Sequence, residues 1–302
     1  MSAEFVIADV FARAPGEGNP LAVFGDGRGL SDAFMQRAAK EIGYSETTFV
    51  LPPETDADDA RLRIFTPQRE LPFAGHPVVG SAVVVAARKI ISGSGDTVRF
   101  GTGVGTIEVR VRVDSERAGW AEMRQPVPVT RRETTDVADV EELARALGVD
   151  AGRVRTDRAP IAMLDNGMTT LIATLDSLET VRRLEPNPSA IVRLTNRFGC
   201  VLLAALTTET VEAGASIHCR IFGPVAGVLE DPATGSANGA LGAYVTGYGL
   251  VSGKEVVTEQ GFEMGRPSLL RAKVVRHATG AVAEVRVSGE VFVTGEGRLF
   301  PW

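Results

Sequence analysis

The sequence predicts an α+β protein of two similar halves, each wrapping strands around one central helix. Three observations predict it. Arg63-Ile64-Phe65-Thr66-Pro67 returns as Arg220-Ile221-Phe222-Gly223-Pro224, and His76-Pro77-Val78-Val79-Gly80-Ser81-Ala82 returns as Asp231-Pro232-Ala233-Thr234-Gly235-Ser236-Ala237, at spacings of 157 (220 − 63) and 155 (231 − 76). A helix stopped by glycine and followed by a strand occurs at Gly43 and again at Gly199, a spacing of 156 (199 − 43). Internal repetition at half the chain length is read before any other signal. Third, Val78 to Ile91 is apolar nearly all round, and a helix without a polar face is a buried helix.

Each element follows from local chemistry. Phe5 to Phe11 carries the β-branched and aromatic residues of a strand. Ala14 to Pro20 is turn chemistry, and Leu21 to Phe24 returns as a second strand. Ser31 caps a helix over Asp32 to Ile42 that stops at Gly43. Thr47 to Leu51 and Arg61 to Phe65 read as strands. Pro77 suits the first position of the central helix, which runs to about Ile91. Val98 to Phe100 and Ile107 to Val113 pair around the Gly101 to Gly105 turn, and Ala118 to Met123 closes the first half. Gln125 to Val129 is the crossing point. The domains are therefore placed at 1–125 and 126–302, leaving open whether the last strands cross back. In the second half, helices are expected at Asp139 to Leu147, Pro188 to Phe198 and Pro232 to about Tyr248. Strands are expected at Ile161 to Leu164, Leu171 to Leu175, Val201 to Leu206, Ser216 to Phe222, Val256 to Glu259, Leu269 to Val275 and Ala283 to Val287.

Composition narrows the function classes. A length of 302 residues suits two domains, and 44% hydrophobic residues can build a core in each. A net charge of −6 without a basic run argues against nucleic acid as partner. The start of the chain is strand-like and lacks a basic leader, and the most apolar helix is short and interrupted by Arg88 and Lys89. The expectation is a soluble cytoplasmic protein with no membrane partner. Two cysteines, Cys200 and Cys219, lack metal-type spacing and read as core residues. With three histidines in the chain, a metal site is not expected.

Asp231 before Pro232 reads by itself as an ordinary helix cap, but histidine is not a preferred cap, so His76 asks for another explanation. Two helix N-termini facing each other across one cleft would present free N–H groups and positive dipole ends to a small anion, most simply a carboxylate. Gly75, Gly80 and Gly235 would let backbone approach such a ligand. Ser81 and Ser236 could donate hydrogen bonds to it, though packing inside a helix is the blander account of Ser81. Two residues could then transfer a proton. His76 is one, and Glu46 is the other; the repeat partner of Glu46 is Leu202, so the acid occurs in one half only. Shielded in a cleft, a carboxylate could act as general acid and base in turn.

These residues carry a resemblance. Asp9-Val10-Phe11, Gly18-Asn19-Pro20-Leu21-Ala22-Val23, Ser45-Glu46-Thr47, Pro72 to Pro77, Glu230 to Ala237 and Glu259-Gln260-Gly261 together resemble the PhzF-like proteins, the phenazine-biosynthesis isomerase family, over nearly the full chain. The resemblance implies the diaminopimelate-epimerase-like fold: two similar domains, each a β-barrel around a central helix. It places the family's catalytic glutamate on Glu46 and matches His76, Asp231 and Ser236 to its supporting polar residues. Gly75 matches its substrate-contacting backbone, and Asn19 and Gly235 join the substrate-binding set. The family is cofactor-free and commonly a homodimer. Its best-studied activity isomerises trans-2,3-dihydro-3-hydroxyanthranilate. Two alternatives stay open on the same residues: a racemase or epimerase of an amino-acid-like substrate with His76 as second base, and a catalytically silent ligand-binding homologue.

Overall fold

The computed structural model describes residues 2–91 and 95–300. They divide into two compact units, Met1–Arg124 with Ser288–Trp302, and Gln125–Val287. The first unit contains strands β1 (Ala3–Val10) and β2 (Asn19–Phe24), helix α1 (Asp32–Ile42), and strands β3 (Glu46–Leu51), β4 (Ala60–Phe65) and β5 (Glu70–Leu71). Helix α2 (Gly75–Ala87) follows, then β6 (Thr97–Thr102), β7 (Gly105–Ser115) and β8 (Ala118–Gln125). The second unit holds β9 (Val129–Thr134), α3 (Val137–Leu147), β10 (Ile161–Asp165), β11 (Thr169–Thr174), α4 (Leu178–Arg182), α5 (Pro188–Phe198), β12 (Leu202–Thr207), β13 (Ile217–Gly223), β14 (Val228–Asp231), α6 (Gly235–Gly247), β15 (Glu255–Gln260) and β16 (Ser268–Arg276). The last strand, β17 (Val282–Leu299), begins in the second unit and ends in the first.

In the first unit β1 is antiparallel to β2 and to the end of β17. β2 runs parallel to β3, β3 antiparallel to β4, β4 parallel to β6, and β6 antiparallel to β7, which pairs with β8. β8 also pairs with β17, which closes a ring of eight strands. The second unit repeats the order of steps: β9, β10 and β11 are antiparallel, β11 is parallel to β12, β12 antiparallel to β13, β13 parallel to β15, and β15 antiparallel to β16. This is the α+β barrel-and-helix fold that the repeat predicts.

Each central helix is enclosed by strands. Every residue of α2 except Ala86 is buried, against β1, β2, β3, β6 and β7. α6 packs against β11, β15 and β16 and is buried from Gly235 to Val245. The outer helices are amphipathic, as their sequences require. α1 buries Met35, Ala38 and Ala39 and is capped by Ser31, whose side chain accepts from the Phe34 N–H at 3.2 Å. α5 buries Ile191, Leu194 and Phe198 and is capped by Asn187 in the same way. Both end on a left-handed glycine, Gly43 and Gly199. Among the described residues no helix is long and apolar enough to cross a membrane.

Three expectations need correction. α2 stops at Ala87 rather than near Ile91. Arg88 turns out to pair with Glu296, and Lys89 adopts a left-handed backbone, so the charges leave the barrel instead of being buried. β5, β9, α4 and β14 are absent from the expected elements. β9 is exposed at five of its six residues, so it lacks an apolar face to betray it.

The third correction concerns the repeat. α1 and α5 are 156 residues apart (188 − 32), as are β3 and β12 (202 − 46), but α2 and α6 are 160 apart (235 − 75). Both central helices are 13 residues long. The second unit has gained residues between β13 and β14, where Pro224 to Ala226 forms a 3-10 turn. The matched His-Pro and Asp-Pro letters are therefore out of structural step. The counterpart of His76 is Ser236, and that of Asp231 is Leu71. Two arginine clamps fix this alignment. Arg63 grips Glu70 with two hydrogen bonds of 2.7 Å, and Arg220 grips Glu230 with two of 2.8 Å. Each guanidinium also lies over the phenylalanine two residues on. Glu70 precedes Leu71 as Glu230 precedes Asp231, so Asp231 ends a strand and caps no helix.

Candidate active site

Three of the candidate residues come together in the first unit. Asn19 opens β2 and Glu46 opens the parallel neighbour β3, so both side chains stand at the same end of the sheet. His76 is the second residue of α2. The Asn19 amide donates through Nδ2 to His76 Nδ1 at 3.3 Å. His76 Nε2 lies 3.5 Å from Glu46 Oε2. Asn19 is fully buried, and burial pushes the His76 imidazole down to about 3, so the ring is neutral at ordinary pH. With Nδ1 accepting from Asn19, the ring proton sits on Nε2, the nitrogen beside the carboxylate. The ring being neutral, the contact is not an ion pair, and neither His76 Nε2 nor Glu46 Oε2 makes a hydrogen bond there.

Gly75 begins α2, whose N-cap residue, Ala74, offers no side-chain hydrogen bond to the first turn. Those N–H groups keep their donor capacity for an anion. Two other expectations resolve as packing. A Cβ on Gly80 would lie 2.6 Å from Val10 Cγ2 and 2.7 Å from Leu21 Cδ2, so this glycine lets helix and barrel approach each other. The Ser81 hydroxyl is buried and shared with Thr48 at 2.8 Å.

Asp231, Gly235 and Ser236 lie together in the second unit. Asp231 Oδ2 accepts from the Thr234 hydroxyl at 2.5 Å. Thr234 is the N-cap residue of α6, yet its side chain makes no cap bond, having turned to Asp231 instead. The first carbonyls of α6 are held from behind: Gln125 donates to the Gly235 carbonyl at 2.7 Å and Asn166 to the Ser236 carbonyl at 2.8 Å. Gly239 makes room for Gln125, whose Oε1 would sit 2.1 Å from an added Cβ.

Sequence reasoning passed over Gln125, Asn166 and Asn238. Asn238 is buried in the first turns of α6, and neither side-chain polar atom has a hydrogen-bond partner. An amide inside an otherwise apolar helix is the signal that could have singled it out. His218 is fully buried, with Nδ1 2.8 Å from Glu259 and Nε2 2.9 Å from Glu263. The thiols are inert, as core cysteines are: burial pushes Cys200 up to about 12 and Cys219 well above its ordinary value. No group of three or more histidine, cysteine or acidic residues able to hold a metal occurs among the described residues. An open groove of about 1280 Å³ in the first unit, bordered by Phe5, Arg28, Pro52, Ile90 and Arg298, holds none of the candidate residues.

Residues 8–297 match the family described as phenazine biosynthesis-like protein. A trans-2,3-dihydro-3-hydroxyanthranilate isomerase from Pseudomonas chlororaphis is 36% identical over 296 residues, covering 98% of each chain. Among solved structures, a PhzF-family phenazine biosynthesis protein of Bacillus anthracis superposes with a TM-score of 0.89 at 25% identity, covering 100% of both chains. A predicted epimerase of Pseudomonas aeruginosa superposes with a TM-score of 0.83 at 28% identity, covering 99% of this chain and 100% of that one.

Proposed function

The chain belongs to the phenazine biosynthesis-like protein family and is an isomerase, and on that premise we propose that it moves a proton within a small carboxylate substrate, with Glu46 as the acid–base group. The observation that carries this reading is the neutral His76 beside Glu46. Of the two residues able to transfer a proton, the imidazole has its basic nitrogen committed to Asn19 and carries its only proton on Nε2. It can donate a hydrogen bond but has no lone pair to offer a substrate C–H. The carboxylate has, so Glu46 takes the proton, with the neutral His76 ring beside it.

On a substrate like trans-2,3-dihydro-3-hydroxyanthranilate, Glu46 removes the proton at C3. The electron pair shifts through the ring, and the same carboxyl returns the proton at C1. Tautomerisation of the resulting enol gives a ketone. Atoms and electrons balance within one molecule, so the step needs no cofactor. His76 and Asp231 orient the substrate's polar groups and assist the tautomerisation. Asn19, Gly75, Gly235 and Ser236 complete the proposed binding set, and the first turn of α2, which carries no side-chain cap, favours a carboxylate. The racemase alternative asks His76 to be a base, which would need Nε2 unprotonated; its hydrogen bond from Asn19 opposes that tautomer.

The test is turnover in deuterated buffer with chelator and no added cofactor, followed by NMR. Wild-type protein should place deuterium on the isomerised ring, and Glu46→Gln should lower the rate by at least about 100-fold while keeping the fold. Full activity in Glu46→Gln would overturn the reading. Deuterium at one stereocentre without double-bond migration would select the racemase instead.

A further inference from the structure

Behind Asp231 the second unit holds a closed chain of hydrogen bonds. Gln260, the last residue of β15, is fully buried. Its amide is committed on every side. Oε1 accepts from the Thr234 N–H at 3.0 Å; Nε2 donates to the Asp231 carbonyl at 2.6 Å and to Thr234 Oγ1 at 2.9 Å. Thr234 Oγ1 donates in turn to Asp231 Oδ2 at 2.5 Å. A hydroxyl owns one proton. Because Gln260 pushes an N–H into that hydroxyl, the proton has to leave towards Asp231, and Asp231 receives it as an acceptor. The amide thereby fixes the polarity of the whole chain as well as its shape.

The approach is built into the backbone. Gly261 has φ of +77°, and a Cβ there would lie 2.5 Å from the Pro232 carbonyl oxygen and 2.5 Å from that of Arg266. Only glycine lets the end of β15 close on the Asp231 segment. Glu259, one residue before Gln260, is anchored to the His218 ring and to the backbone N–H groups of Val211 and Glu212. The Glu259-Gln260-Gly261 run is thus one device: an anchor, an amide and a hinge-free turn.

We propose that Thr234 and Gln260 are positioning residues that hold Asp231 as an oriented, ionised carboxylate for the reaction. The inference rests on the reading that Asp231 serves the substrate, and it acts through Asp231 without touching the reacting atoms. Gln260→Glu is the sharpest probe. It keeps the shape but removes both N–H donors, so the new carboxylate competes with Asp231 for the Thr234 proton. Thr234→Val removes the hydroxyl at nearly constant volume, and Thr234→Ser keeps it.

The experiment uses the full chain with 13C-labelled aspartate, the Asp231 signal being assigned by its loss in Asp231→Asn. The carboxyl titration is followed by NMR without substrate, so its outcome is independent of the Glu46→Gln result. Losing a donor to the ionised form raises a carboxyl midpoint, here by about one pH unit. That rise is expected in Thr234→Val and Gln260→Glu, with Thr234→Ser close to wild type. With a substrate turned over by wild type, Thr234→Val should lose at least about tenfold in kcat, a shift of about 1.4 kcal/mol, with KM changed much less. An unmoved midpoint in folded Thr234→Val and Gln260→Glu would overturn the inference, and so would a moved midpoint with unchanged kcat.

Discussion

A carboxylate beside an imidazole is an ion pair when the ring is charged and a hydrogen-bonded base when it is not. At His76 burial decides for the neutral ring, because it removes the water that would solvate a charge. The sign of the pH effect follows. The folded value, about 3, lies below the free-histidine value of 6.5, so the unfolded chain takes up the proton first as pH falls. Stability present above pH 6.5 is therefore lost between 6.5 and 3. The loss from this residue should reach roughly 3 kcal/mol at pH 4.5. Denaturant unfolding of wild type and His76→Asn at pH 7 and pH 4.5 checks it: the variant should lose less stability on acidification. Equal losses would show that His76 is charged in the fold. His218 pulls the other way. Burial alone would lower it, but its bonds to Glu259 and Glu263 raise it on balance. Its contribution is complete below 6.5 and fades as pH climbs through the raised value.

Elements set where these side chains stand. The parallel pair β2–β3 puts Asn19 and Glu46 at one sheet end, and the first turn of α2 brings His76 to them. That convergence depends on how closely the helix sits inside the barrel, which Gly80 controls. Gly80→Ala would gain about 1 kcal/mol in helix propensity yet force a methyl against Val10 and Leu21. Overpacking a rigid core costs about 1–3 kcal/mol, so the net change should be destabilising. Thermal unfolding reads it, and a raised melting temperature would show that the barrel yields. The same scale exposes the limit of letter matching. The Arg-Ile-Phe runs align because both arginines clamp the next short strand, a physical task done twice. His-Pro and Asp-Pro share letters without sharing a place, since one lies inside a helix and the other ends a strand.

For the whole molecule, the chain's return matters most. Ser288–Trp302 belongs to the first unit, and Val291 to Leu299 supplies the antiparallel partner of β1. A chain ending at Val287 would open the eight-strand ring and leave β1 and β8 as bare edges. We expect that truncation to abolish cooperative unfolding of the first unit or drive aggregation. A truncated chain with the wild-type melting curve would contradict the closed ring. The fold class was legible in the sequence because barrel strands and an all-apolar helix leave periodic signatures, and because Ser31, Asn187, Gly43 and Gly199 mark helix ends by local chemistry alone. The candidate residues could be named from motifs, Glu46 above all, since an acid without a repeat partner stands out. What only the tertiary structure decided is which nitrogen of His76 bears the proton, that Ser236 rather than Asp231 is its counterpart, and that Gln260 and Thr234 stand behind Asp231. Those depend on burial and on contacts between residues far apart in the chain, and a string of residue types carries neither solvent access nor hydrogen-bond direction.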